Sequence, residues 1–139
     1  MDTTTPENKK DTRKRILIVD DESGFTRLMK LTLERTGKYV MREENDGTRA
    51  LAVAKEFKPD LILLDIVMPK IDGGDVARQI QADWSLSGVK IVFLTAIVSQ
   101  KEATQGNMIG GFPFIAKPVS LAALMKYIEE NLPTDDVVS

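Results

Sequence analysis

Four apolar runs in this chain each end in a residue that could do chemistry. The run from Leu61 ends in the carboxylate of Asp65, and the run from Arg15 ends in the adjacent pair Asp20 and Asp21. The run from Val89 ends in the hydroxyl of Thr95, and the run from Phe112 ends in the ammonium of Lys117. Runs of this length bounded by polar or turn residues read as strands buried on both faces. If they are parallel neighbours, three carboxylates, a hydroxyl and an ammonium converge on one sheet edge, where open α/β sheets bind ligands.

Taken singly, each group has an ordinary role. Asp20 and Asp21 would be two solvated acids, Thr95 a helix cap and Lys117 a surface charge. Together they would form a site. Three crowded carboxylates repel one another, and a hard divalent cation relieves the repulsion. An all-oxygen donor set favours Mg²⁺ or Mn²⁺. An aspartate beside such an ion can attack phosphorus and form an acyl phosphate. Thr95 and Lys117 would supply donors for the remaining phosphoryl oxygens, as phosphoryl transfer requires. A cis bond at Lys117–Pro118 would suit a tight turn that aims the lysine.

The remaining sequence reads as the scaffold for that edge. Five strand–helix units follow one another without a break, which predicts a doubly wound α/β fold with a parallel sheet and five helices. The most apolar strands, near residues 15–20, 61–65 and 89–94, should be central. The mixed run Tyr39 to Glu44 and the run containing Pro113 should be edges. That is the flavodoxin-like order 2-1-3-4-5 with its switch point between strands one and three. Helix one should begin at a Ser23 cap, bury Phe25, Leu28, Met29 and Leu33, and end near Gly37. Helix two should bury Ala50, Leu51, Ala54 and Phe57. Helix three should bury Val76 and Ile80, with Trp84 at the core edge or helix end. A fourth helix near residues 99–108 has few large apolar residues and should move readily. A final helix, capped by Ser120, should bury Leu121, Leu124, Met125, Ile128 and Leu132.

Composition narrows the chemistry. The 139 residues contain neither cysteine nor histidine. This removes disulfides, thiolate and imidazole catalysis, and a phosphohistidine role for the chain itself. A net charge of −2 gives no bulk attraction to nucleic acid. Residues 1–15 hold five Lys/Arg against three Asp/Glu, and residues 1–12 read as a flexible arm. No apolar run is long enough to cross a membrane, and the natural expectation is a cytoplasmic protein.

The chain resembles the receiver domain of bacterial two-component response regulators, in the stand-alone, chemotaxis-regulator-like form. The resemblance covers residues 13–132, with 133–139 as a tail too short for an effector domain. It rests on the pair Asp20–Asp21, on Asp65 44 residues after Asp21, on Met68–Pro69 and on Asp72–Gly73. Thr95–Ala96 follows 30 residues after Asp65, and Lys117–Pro118 comes 22 residues after Thr95.

The resemblance implies phosphorylation of Asp65 by a histidine kinase or a histidine phosphotransfer protein. It also implies Mg²⁺ held by Asp21, Asp65 and the Val67 backbone carbonyl, with Asp20 acting through a metal-bound water. Thr95 and Phe114 take the switch positions, and Val67 and Ile97 flank the path of hydrolytic water. Output would run through contacts with an unidentified protein target, without direct nucleic-acid or membrane binding. Such a domain is no conventional enzyme, since it catalyses only its own phosphotransfer and dephosphorylation. Where the family has Gly-Ala before the fifth strand, this chain has Gly110 and Gly111 followed by Phe112 and Pro113, which points to a remodelled output surface.

Two other readings use the same residues. A degenerate receiver would act as a binding module independent of phosphorylation. A phosphatase of the haloacid dehalogenase type would need a second aspartate two residues after Asp65, where Val67 stands. A nucleotide-binding P-loop is absent from the sequence.

Overall fold

A computed structural model describes residues 11–96 and 108–132. Its centre is a parallel sheet of β1 (Lys14–Val19), β2 (Tyr39–Glu44), β3 (Leu61–Asp65), β4 (Lys90–Thr95) and β6 (Phe112–Ala116). A short β5 (Met108–Ile109) joins β6 antiparallel, and the full order is β2-β1-β3-β4-β6-β5. The helices are α1 (Ser23–Glu34), α2 (Ala50–Phe57), α3 (Gly73–Ala82) and α4 (Leu121–Asn131).

The uninterrupted apolar strands follow from burial on two faces. Leu17, Val19, Ile62, Leu64 and Phe93 pack with Val53, Phe57, Val76 and Ile80 on the side of α2 and α3. Their strand neighbours Ile16, Ile18, Leu61, Leu63 and Leu94 pack with Met29, Leu33, Leu124 and Ile128 on the side of α1 and α4. A strand with period two cannot be polar anywhere when helices cover both its faces. Among the described residues no helix is long and apolar enough to span a membrane.

The doubly wound parallel sheet follows the expected order from β2 through β6. The strand containing Pro113, expected at the edge, is the last parallel strand but not the edge of the sheet: β5 pairs outside it, with Met108 opposite Pro113. Gly110 and Gly111 make the two-residue hairpin turn with φ of 58° and 89°, the left-handed conformation such a turn needs. Met108, read from sequence as the end of a helix, is therefore a strand residue. The rest of that expected fourth helix lies outside the described residues.

Three local expectations are corrected. Helix α1 is capped at Glu22 rather than Ser23, without a side-chain capping bond. Leu28 is 56% exposed, because the buried stripe of α1 runs through Thr26, Met29 and Leu33 instead. Trp84 does lie at the helix end, just after the Asp83 cap of α3, but it is 88% exposed and not at the core edge. The extended backbone of Asp83 ends the helical periodicity after Ala82, and Leu86 takes the buried position in the following 3-10 turn. Ser120 does cap α4, accepting from the Ala123 amide at 3.2 Å.

Candidate functional site

Sheet register brings the reactive groups together. Val19 pairs with Leu64, so Asp20 leaves β1 level with Asp65 on β3. Asp65 pairs with Leu94, and Thr95 with Ala116, so Thr95 and Lys117 come out beside it on the next two strands. The Lys117 amide donates to the Thr95 carbonyl at 2.8 Å, continuing the ladder to the lysine itself. The Lys117–Pro118 bond is cis.

The loop after Asp65 is held tightly. Val67 forms an isolated bridge with Asp72, and the Gly73 amide donates to the Ile66 carbonyl at 2.7 Å. A Cβ at Gly73 would overlap the Asp65 carbonyl oxygen and lie 2.7 Å from Ile66 Cα. Glycine is thus the residue that lets α3 start against the end of β3. Asp72 caps that helix by accepting from the Gly74 amide at 2.6 Å.

The result is a cavity of about 310 Å³ lined by Asp21, Glu22, Asp65, Val67, Thr95, Ala96 and Lys117. One carboxylate oxygen from each of Asp20, Asp21 and Asp65 lies within 4.8 Å of the other two. This donor set is wholly oxygen and fits a hard divalent cation. Asp20 is fully buried, Asp65 is 7% exposed, and Asp21 faces solvent.

Electrostatics single out Asp65. Burial, reinforced by the nearby charge of Asp20, pushes its carboxyl up to about 6 against the attraction of Lys117 and a hydrogen bond from the Val67 amide. Lys117 Nζ donates to Asp20 Oδ2 at 2.6 Å and lies 3.4 Å from Glu22 Oε1 and 4.0 Å from Asp65 Oδ2. Burial works against this ammonium, but the hydrogen bond and charge of Asp20 hold its pKa above the usual lysine range. The ammonium also sits 4.7 Å from the centre of the Phe25 ring.

Of the residues singled out from sequence, Asp21, Asp65, Val67, Thr95 and Lys117 line this cavity; Asp20 does not, and is buried beside it with its Oδ2 on the Lys117 ammonium. Phe114 lies away from the cavity, in the sheet core beside Phe93, and is only 7% exposed. Its ring already occupies a buried position. Ile97 lies outside the described residues. Two further residues contact Lys117: Glu22, and Phe25, which the sequence marks only as part of the apolar face of helix one. Glu22 could have been found as the acid next to the pair, whereas the position of Phe25 depends on how α1 packs.

The family model for the response regulator receiver domain matches residues 16–129, and the chain belongs to that family. Among its relatives is the DNA-binding response regulator MtrA of Mycobacterium tuberculosis. It is 36% identical over 89% of this chain and 53% of its own length. Protein PilH of Pseudomonas aeruginosa is 37% identical over 85% of this chain and 97% of its own length. The chain thus spans about half the length of relatives such as MtrA and nearly all of PilH. Among solved structures, the chemotaxis response regulator CheY4 of Vibrio cholerae superposes with a TM-score of 0.75 at 26% identity. That match covers 87% of this chain and all of CheY4. Residues 16–129 thus form a response regulator receiver domain with a doubly wound, chemotaxis-regulator-like fold.

Proposed function

We propose that Asp65 accepts a phosphoryl group from a histidine kinase or a histidine phosphotransfer protein, and that the phosphorylated domain signals through protein contacts. The observation that carries this reading is the convergence of Asp21, Asp65, Thr95 and Lys117 on one cavity at the carboxyl end of the sheet. A carboxylate oxygen of Asp65 would attack phosphorus while the bond from phosphorus to the donor's imidazole nitrogen breaks. The imidazole leaves with the bonding electron pair, and Asp65 becomes an acyl phosphate.

Mg²⁺ or Mn²⁺, held by Asp21, Asp65 and the Val67 carbonyl with Asp20 acting through a metal-bound water, would neutralise the crowded carboxylates and the incoming phosphoryl charge. Lys117 lies 4.0 Å from Asp65 and can turn its ammonium from Asp20 to a phosphoryl oxygen. Thr95 offers its hydroxyl to another. The added charge of about −1.5 to −2 would draw both groups inward. Phe114 pairs in register with Phe93, two residues before Thr95. Movement of Thr95 would therefore change the space around an aromatic ring that is already buried. This couples the site to β6 and the β5 hairpin, where the chain departs from the family pattern.

Incubation with a small acyl-phosphate donor and Mg²⁺, followed by intact mass, tests the reading. One phosphoryl group should add to the wild type, none without a divalent ion, and none to Asp65→Asn. Labelling of the Asp65→Asn variant at the wild-type rate would overturn the assignment.

A further inference from the structure

Behind the acidic pair, polar side chains run from the end of β1 through α1 to β2. Asn45 is exposed, yet its amide nitrogen turns inward. Nδ2 donates to the Asp20 backbone carbonyl at 2.7 Å and to Thr26 Oγ1 at 2.9 Å. Thr26 is fully buried. Its single hydroxyl proton goes to Glu43 Oε1 at 2.8 Å, nearer than the Ser23 carbonyl at 3.2 Å. Arg27 Nε donates to the other oxygen of Glu43 at 2.8 Å. Burial opposes ionisation of Glu43, but the bonds from Arg27 and Thr26 hold its carboxyl below the usual range.

The charge on Glu43 fixes the direction of the whole chain. A carboxylate can only accept, so Thr26 must donate to it and present a lone pair to Asn45. Asn45 must then aim its NH₂ group at both Thr26 and the Asp20 carbonyl. That carbonyl belongs to the planar peptide joining Asp20 to Asp21, so anchoring its oxygen fixes the plane from which Asp21 leaves the strand. The same turn is held from its other side, where the Glu22 amide donates to Asp20 Oδ1 at 2.9 Å. A buried hydroxyl on the sheet-facing stripe of α1 adds little to stability that an apolar residue of equal size would not supply.

We propose that Asn45 and Thr26 are positioning residues for the divalent cation: by fixing the Asp20–Asp21 peptide plane they hold the Asp21 carboxylate in register with Asp20 and Asp65. This rests on the cation-assisted phosphoacceptor reading of the site. Neither residue touches the cavity, so both act through the peptide alone.

The test is a Mg²⁺ titration followed by the amide resonances of residues 20–22, with urea unfolding as a parallel measure of stability. Removing a group that orients a metal ligand typically weakens metal affinity about 10–100-fold. Because these groups act through the backbone, Asn45→Ala and Thr26→Val should each weaken Mg²⁺ binding by about tenfold, at the lower end of that range. Thr26→Ser keeps the hydroxyl and should bind Mg²⁺ within about twofold of wild type, although it loses a buried methyl. Asn45 is exposed, so its alanine variant stays informative even if Thr26→Val unfolds. Wild-type affinity in Asn45→Ala, or equal losses in Thr26→Ser and Thr26→Val, would overturn the positioning role. A wild type that binds no Mg²⁺ would instead refute the cation reading from which this role follows.

Discussion

The two ends of the central sheet are built on opposite principles. At the amino end, Asp60 closes a clasp in which every group has a partner. Its carboxylate accepts from the Arg15 amide at 2.8 Å, its own amide donates to the Arg15 carbonyl at 2.7 Å, and its carbonyl accepts from the Lys90 amide at 3.1 Å. The Arg15 guanidinium donates to the Phe57 carbonyl at 2.8 Å and stacks 4.3 Å from the centre of the Phe57 ring. At the carboxyl end, three carboxylates crowd together with one ammonium, and Asp65 resists ionisation. The amino end stabilises the fold. The carboxyl end holds unfavourable charge that a cation and a phosphoryl group can use.

The largest expected effect tests that difference. The Asp65 carboxyl has a folded pKa of about 6 against an ordinary value of 3.8. A carboxyl raised by folding favours the native state at low pH, and that contribution is lost as pH rises towards the folded pKa. In metal-free buffer at pH 7, Asp65→Asn should therefore be more stable than wild type, by at most about 3 kcal/mol. The advantage should shrink between about pH 6 and pH 4 and vanish below. Urea midpoints across this range check it, and a destabilised variant at pH 7 would break the comparison.

The opposite end should respond with the opposite sign. Asp60→Ala leaves the Arg15 amide without its charged acceptor and should cost about 2 kcal/mol. Its rate of phosphorylation by a small donor should match the wild type. Urea unfolding and intact mass measure the two quantities separately.

Much of this division was legible in the sequence. Apolar runs mark where strands lie, and a parallel sheet sends all their carboxyl ends to one edge, so Asp20, Asp21, Asp65, Thr95 and Lys117 could be grouped in advance. What could not be read depends on registers that the chain does not advertise. Thr26 meets Asn45 and Glu43 only because β1 and β2 pair Ile18 with Glu43 and Val19 with Glu44. Trp84 faces outward because a single extended residue, Asp83, breaks the helical period. The β5 hairpin rests on Gly110 and Gly111, a pair too short to show periodicity of its own.

A smaller effect concerns the lifetime of the phosphoryl group. Val67 is 55% exposed at the cavity and offers water no hydrogen bond. Ile97, two residues after Thr95, is equally apolar. Val67→Asn together with Ile97→Glu should speed loss of the acyl phosphate roughly tenfold, equivalent to about 1.4 kcal/mol of barrier. Decay followed by intact mass after removal of the donor measures it. An unchanged or slower decay would place control of water elsewhere.

The most direct measurement is to locate the acyl phosphate itself. Wild-type protein loaded with a small donor and Mg²⁺ can be reduced with borohydride, which converts an aspartyl phosphate to homoserine, and then mapped by peptide mass. The account predicts homoserine at residue 65, with Asp20 and Asp21 intact. Homoserine at residue 20 or 21 with Asp65 unmodified would contradict it.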